Sequence, residues 1–120
     1  MDNLEFSLKL KEQGVKITTP NGNVKNYVLK ELTGEQRDSF LNMMASRLVM
    51  KDGKVQSLSS FDGLQASLVA ECLYDEKGES IDKDIIQKYP AQVLASLFKA
   101  AQELSGMDIS EEEQEEVKND

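Results

Sequence analysis

The spacing of the apolar residues changes from strand-like to helix-like at Thr33, and this change constrains the fold more than any other feature. Before Thr33, apolar and polar residues alternate, which is typical of half-buried strands. After Thr33, apolar residues recur every three or four positions, which is typical of amphipathic helices. Strands followed by helices predict an α+β fold, with a small N-terminal antiparallel sheet and three main helices.

The first two predicted strands lie in the alternating segment. Residues 4–10 place Leu4, Phe6, Leu8 and Leu10 on one face and charged or polar residues on the other. Residues 15–18, after Gly14, form a short second strand. Both segments are expected to bury one face against the helices that follow.

A hairpin turn is predicted at Asn21-Gly22, because both residue types tolerate positive φ. The strand after it, residues 24–29, contains apolar residues on both faces, so its register stays open. Either Tyr27 and Leu29 face the core, or Val24 and Val28 do.

The first helix is predicted to begin at a capping box formed by Thr33 and Gln36. It is expected to run to about Met50 and to end before Gly53, which suits a C-terminal cap. Its apolar face consists of Phe40, Met43, Met44, Ala45 and Leu48.

Two more main helices are predicted, separated by a polar turn and a short helical turn. The second begins after Ser60, with Asp62 in its first turn, and ends at Tyr74. Its buried stripe is Phe61, Leu64, Leu68, Val69, Cys72 and Leu73. Ser80 is expected to cap the turn at residues 82–87, with Ile81, Ile85 and Ile86 facing inward.

The third main helix has Pro90 at its first position, where a missing amide costs nothing, and it ends at Gly106. Its amphipathic face consists of Val93, Leu94, Leu97, Phe98, Ala101 and Leu104.

Residues 1–107 are therefore expected to form one domain, with a β-hairpin region at 1–32 and a helical region at 33–107.

Most of the negative charge lies at the C-terminus. The chain carries a net charge of −8, and residues 108–120 hold seven acidic residues and one lysine, a net −6, which leaves −2 for residues 1–107. Only Ile109 and Val117 are apolar in this segment, so we expect a disordered acidic tail.

The composition argues against an enzyme. The chain has no histidine and a single cysteine, which excludes imidazole catalysis, histidine-containing zinc sites and a disulfide framework. The carboxylate pairs Glu35/Asp38 and Asp82/Asp84 lie at predicted exposed helix starts, where acidic residues favour the helix dipole. We expect no catalytic residue, no metal and no cofactor, and we expect Cys72 to be a buried structural thiol.

Several partner classes are also disfavoured. An acidic chain without a basic cluster is a poor ligand for nucleic acid. No run approaches the roughly 18 apolar residues that span a bilayer, and residues 1–5 lack the pattern of a signal peptide. We therefore expect a soluble intracellular protein that binds neither nucleic acid nor membranes.

An interaction protein is the remaining class. Amphipathic helices on a small sheet can expose a groove for a partner helix or strand. The methionines of the first helix could serve adaptable binding, although core packing is the favoured interpretation. An exposed strand edge or this methionine face could support self-association. The predicted partner-binding residues are Phe40, Met43, Met44, Leu48, Phe61, Leu64, Leu97 and Phe98.

Four sequence segments resemble the tail assembly chaperones of long-tailed bacteriophages. Residues 27–38 (YVLKELTGEQRD) resemble the strand and helix entry of that family. Residues 61–69 (FDGLQASLV) and 72–81 (CLYDEKGESI) resemble its next helix and turn, and residues 90–107 resemble a final helix that ends in LSG. The resemblance spans residues 24–107.

This resemblance implies a non-enzymatic protein of the infected bacterial cytoplasm. Such chaperones bind the tape-measure protein, a long helical chain, and recruit tail-tube subunits around it. They are absent from the finished virion, and many also exist in a longer form made by ribosomal frameshifting.

Two other function classes stay open. A virion structural or head–tail joining component would use similar surfaces but remain in the particle. An acidic regulator would bind a host protein by imitating the charge of nucleic acid.

Overall fold

The computed structural model describes residues 3–107 and confirms the predicted α+β fold, with antiparallel strands before the main helices. The elements are β1 Glu12–Thr18, β2 Val24–Lys30, α1 Gly34–Ser46, β3 Leu48–Lys51, β4 Lys54–Leu58, α2 Leu64–Cys72, β5 Leu73–Tyr74, α3 Lys83–Gln87 and α4 Ala91–Leu104. The short turn predicted near residues 82–87 is the helix α3, so residues 3–107 contain four helices where three were expected.

A three-stranded antiparallel sheet with the order β1-β2-β5 forms one side of the molecule. Val15 lies opposite Tyr27 in the β1–β2 ladder, and Leu29 lies opposite Leu73 of β5. Leu29 is fully buried and Tyr27 is half-buried, which selects the first of the two registers left open by the sequence. The sheet therefore packs through one face of β2.

The predicted β1–β2 hairpin is confirmed, but its turn is longer than an Asn-Gly turn. The amide of Gly22 donates to the carbonyl oxygen of Thr19 at 2.8 Å, and the amide of Thr19 donates to the carbonyl oxygen of Asn23 at 2.7 Å. Only Gly22 adopts positive φ in this turn, at +86°. Glycine is needed there because a Cβ disfavours this conformation.

The core lies between α2, α4 and the sheet. The buried side chains of α2 are Ala66, Leu68, Val69 and Cys72, and those of α4 are Leu94, Leu97 and Ala101. The capping box of α1 is confirmed: the amide of Gln36 donates to the Thr33 hydroxyl, and the Gln36 side chain accepts from the Thr33 amide.

The predicted strand at residues 4–10 is wrong. None of residues 3–10 lies in a strand, and Leu4, Phe6 and Leu8 are 85%, 84% and 98% exposed. A strand needs a hydrogen-bonding neighbour, and no strand within residues 3–107 pairs with this segment, although the outer edge of β1 is open. The alternating pattern is present, but alternation alone does not form a strand.

The first helix ends at Ser46, not near Met50 as predicted. Residues 48–58 instead form a second hairpin, β3–β4. Asp52 and Gly53 both adopt positive φ, at 55° and 77°, which is the geometry of a tight turn that matches the strand twist. Asp-Gly is a strong hairpin signal, and Gly53 therefore closes a strand turn and not a helix.

The boundaries of α2 also differ from the prediction. The helix begins at Leu64 after the left-handed Gly63, and it ends at Cys72 because Leu73 is extended and pairs with β2. Phe61 precedes the helix and is 71% exposed, so its predicted place in the buried stripe is wrong.

Three smaller corrections concern α3 and α4. Asp82, not Ser80, caps α3, because its carboxylate accepts from the amide of Asp84 at 2.9 Å. Ile86 is fully buried, whereas Ile85 is 56% exposed and does not face inward as predicted. Pro90 is the N-cap of α4 and not its first residue. Gly106 follows α4 with positive φ, as predicted.

The predicted acidic tail, residues 108–120, lies outside the described residues. The division into a single domain at 1–107 and a tail stays a prediction.

Candidate partner-binding surface

The eight residues predicted to bind a partner are divided between the core and the surface. Phe40 and Leu97 are buried, and Phe98 is half-buried with its ring centroid 6.3 Å from that of Phe40. Met43, Met44 and Leu64 are half-buried. Only Leu48 and Phe61 are exposed, so the eight residues do not form one open surface.

The methionines of α1 pack as the favoured interpretation expected. Met43 and Met44 lie against the buried core, whereas Met50, outside the helix, is 56% exposed. The flexible thioether side chain suits packing against an irregular core surface. Use of Met43 and Met44 by a partner stays a prediction.

The β3–β4 hairpin carries an exposed apolar stripe. Leu48 and Met50 are two residues apart on β3, with a register shift of the β3–β4 ladder between Val49 and Met50, and Met50 lies opposite Val55 of β4. Leu48, Met50 and Val55 are 39%, 56% and 58% exposed. We call these three residues the hairpin stripe.

The base of this hairpin is fixed to the segment before α2. The guanidinium of Arg47 donates from Nη1 to the carbonyl oxygen of Asp62 at 2.8 Å and to that of Ser60 at 3.4 Å. The amide of Ser59 donates to the carbonyl oxygen of Arg47 at 2.6 Å. These bonds hold Phe61 close to the base of the hairpin.

Phe61 also borders a shallow groove. The groove has a volume of about 200 Å³ and is lined in part by Leu64 and Gln87 together with Leu94 of α4. The exposed Phe61 ring and this groove provide apolar surface next to a hairpin that has its own apolar stripe. Together they can accept the apolar face of a partner helix.

Sequence reasoning missed Met50 and Val55. The signal was present, because Asp52-Gly53 stands between the apolar run Leu48-Val49-Met50 and the alternating segment Lys54-Val55-Gln56. The predicted helix α1 was continued through residues 47–50, so the hairpin signal was overlooked.

The tip of the β3–β4 hairpin also carries two lysines, Lys51 and Lys54, beside one carboxylate. These charges give the hairpin a slight positive charge.

A cluster of acidic residues follows β5, and its hydrogen bonds show a structural role. A groove of about 340 Å³ contains Asp75, Glu76 and Glu79. The Asp75 carboxylate accepts from the amides of Lys77 and Glu79, both at 2.9 Å, and therefore stabilises the turn before Ser80. Within residues 3–107, no group of three cysteine or carboxylate side chains is arranged to hold a metal ion.

The thiol of Cys72 is buried, as predicted. Burial, together with the negative charge of Glu71, raises the pKa of Cys72 to about 11, while a hydrogen bond with the Ser105 side chain acts in the opposite direction. A thiol of this kind is a weak nucleophile at neutral pH, because almost none of it is ionised.

The described helices contain no segment with both the length and the apolar character needed to cross a bilayer. No protein-family model matches the sequence, and no curated protein sequence matches it.

Among solved structures, the chain is similar to the tail assembly chaperone of bacteriophage HK97. The superposition covers 79% of this chain and 85% of the chaperone, with a TM-score of 0.51 and 16% sequence identity. At this identity the likeness concerns the fold, and it shows a distant structural relationship. It agrees with the family resemblance of residues 24–107.

Proposed function

We propose that this protein is a phage tail assembly chaperone that binds a tape-measure protein and promotes assembly of the tail tube around it. The observation that carries the proposal is the shared fold with the HK97 chaperone over 79% of this chain. The four sequence segments that resemble the same family also support it. The protein acts without catalysis, in the cytoplasm of the infected bacterium, and is absent from the mature virion.

A tape-measure protein is a long helical chain, and its apolar faces must be shielded from water until the tail tube encloses it. The hairpin stripe and Phe61 offer exposed apolar residues, and the groove beside Leu64 offers a concave surface. An amphipathic helix binds such a surface through side chains spaced three and four residues apart. Lys51 and Lys54 at the hairpin tip favour partner segments with acidic flanks.

The function is tested by co-expression with a candidate tape-measure protein, followed by affinity purification from the soluble fraction. We expect the tape-measure protein to become soluble and to co-purify. If it stays insoluble and unbound, the chaperone function is contradicted. Detection of this protein in purified virions would instead favour a structural or head–tail joining component.

The surface is tested by the double substitution Met50→Thr and Val55→Thr, which removes apolar area but keeps residues that favour strands. We expect recovery of the tape-measure protein to fall at least about tenfold, since both side chains lie in the stripe. Ile85→Thr is the matched control, because Ile85 is as exposed as Met50, at 56%. Equal recovery with the double variant and the control would contradict this surface while leaving the function itself standing.

A further inference from the structure

The first inference concerns the unpaired N-terminal segment, residues 3–10, which we call the arm. Its even positions Leu4, Phe6 and Leu8 are 84–98% exposed, and its odd positions are polar. The alternation is typical of a strand with one buried face. The arm therefore carries the pattern of a strand but lacks both a neighbour and a surface to cover.

The surface that fits it lies at the outer edge of β1. β1 pairs with β2 along one edge, and no strand within residues 3–107 pairs with the other. Beside this edge, a groove of about 400 Å³ separates β1 from α4 and is lined in part by Val15, Ile17, Val93 and Ala100. A strand added to this edge would place its apolar side chains over the groove, while its amides satisfy the free edge of β1.

The arm of the same chain is poorly placed to fill this edge. The Lys11 amide donates to the Glu31 carboxylate at 2.7 Å, and the Glu31 amide donates to the Lys11 carbonyl oxygen at 2.9 Å. These bonds extend the β1–β2 ladder by one residue pair and hold Lys11 beside the end of β2. Folding back would require a two-residue turn at Leu10-Lys11, and such turns need positive φ, which neither residue type favours.

We propose that the arm of one copy pairs in antiparallel orientation with β1 of a second copy, and that the exchange is reciprocal. The product is a symmetric dimer in which each copy completes the sheet of the other. Residues 10–11 serve as the connection between the two copies. This inference does not rest on the proposed function, because it concerns only copies of this chain.

Charge and apolar matching select one register. With Phe6 opposite Val15, Leu4 lies opposite Ile17, and the apolar face of the arm lies over the groove. The same register places Glu5 opposite Lys16 and Lys9 opposite Glu12, so both charged pairs are of opposite sign. Directly opposite charges of this kind stabilise a strand pair. A shift of two residues in either direction separates both pairs.

The buried area suits a stable dimer. Two phenylalanine side chains alone bury roughly 300–500 Å², and Leu4 and Leu8 of both arms add to this together with the paired backbones. Reciprocal exchange therefore approaches the roughly 1,200–2,000 Å² of a standard stable interface. A single arm bound to an unrelated edge would bury only half as much.

The proposal is tested on the full chain by sedimentation equilibrium over a range of protein concentrations. We expect a dimer of a 13.4 kDa chain. The substitutions Phe6→Ser and Leu8→Ser together should weaken dimerisation at least about tenfold, and Leu41→Ser, at a 47% exposed site on α1, should not. A wild-type chain that is monomeric at every concentration would overturn the proposal, as would a dimer that the arm substitutions leave unchanged.

A charge exchange tests the register. Glu5→Lys and Lys16→Glu should each weaken the dimer by like-charge repulsion, and the double variant should restore it. A chain carrying Glu5→Cys is then mixed with one carrying Lys16→Cys under oxidising conditions. Disulfide-linked heterodimers support exchange between copies. The contrary result is a mixture that does not cross-link while a chain carrying both cysteines forms an intramolecular disulfide. That result would overturn exchange between copies in favour of an intramolecular hairpin.

Discussion

Residues 3–107 contain two β-hairpins that look alike locally and differ in what they pack against. The β1–β2 hairpin lies against α2 and α4 through Leu29, which is fully buried. The β3–β4 hairpin leaves Leu48, Met50 and Val55 exposed, and its base is held by hydrogen bonds from Arg47. Each hairpin has a turn glycine with positive φ, Gly22 in the first and Gly53 in the second.

The difference shows that a hairpin signal in the sequence predicts where the chain turns. It does not predict whether the hairpin packs against the core or stays exposed. The first hairpin contributes to the core, so its side chains stabilise the fold. The second contributes little apolar area to the core, so its apolar side chains are free to bind a partner. Exposed apolar residues on adjacent positions often mark interaction sites. Under the proposed function, the first hairpin stabilises the fold and the second binds the partner.

The largest expected contrast comes from truncating one apolar residue in each hairpin. Leu29→Ala leaves a cavity in the core and should lower the free energy of unfolding by about 2–5 kcal/mol. Val55→Ala changes a residue that is 58% exposed and should cost less than about 0.5 kcal/mol. Chemical denaturation followed by circular dichroism measures both. Similar losses would mean that the second hairpin is part of the cooperative core.

The features that could be predicted from the sequence are those decided by local contacts. The Thr33–Gln36 capping box, the β1–β2 turn and the cap at Gly106 each depend on a few neighbouring residues. The order of strands before helices follows from periodicity, which is also local. These features give the fold class and most of the helix positions.

The features that could not be predicted depend on distant partners. The arm has the periodicity of a strand, but no strand among the described residues pairs with it to supply hydrogen bonds. Periodicity also cannot separate a face that packs on the chain's own core from one left open, which is why Phe40 and Leu97 were assigned to a binding surface. Met50 and Val55 were missed because the α1 pattern hid the Asp-Gly turn.

The second expected effect concerns pH and reports on the packed side of the molecule. Burial raises the pKa of Cys72 from 9.0 to about 11, so above pH 9 the thiol ionises in the unfolded chain before it ionises in the folded one. Stability should be fully present below pH 9 and should fall as the pH rises towards 11, by up to about 1.4 kcal/mol per pH unit.

The measurement is the free energy of unfolding by denaturant at pH 8, 9 and 10. Cys72→Ala is the control and should remove this part of the pH dependence, although it lowers stability at every pH. The raised pKa of Tyr89, caused mainly by burial, acts above pH 10 and remains in the control. An unchanged slope between pH 9 and 10 in Cys72→Ala would contradict the assignment to Cys72.

The smallest expected contrast comes from the two turn glycines. Gly22 and Gly53 have φ of +86° and +77°, and no heavy atom lies within 4 Å of a Cβ built on either, so an alanine there meets strain but no clash. Gly22→Ala should lower the global free energy of unfolding by about 1–2 kcal/mol, because its hairpin unfolds together with the core. Gly53→Ala should carry the same local strain, but its global effect should stay below about 0.5 kcal/mol.

Native-state amide exchange separates these outcomes. In Gly53→Ala, the amides of β4 should exchange faster while those of β2 keep their protection, because the hairpin opens without the core. In Gly22→Ala, the amides of β1, β2 and α2 should all lose protection together. If Gly53→Ala instead weakens protection in α2, the β3–β4 hairpin stabilises the core, and its apolar stripe has a structural role in addition to any partner.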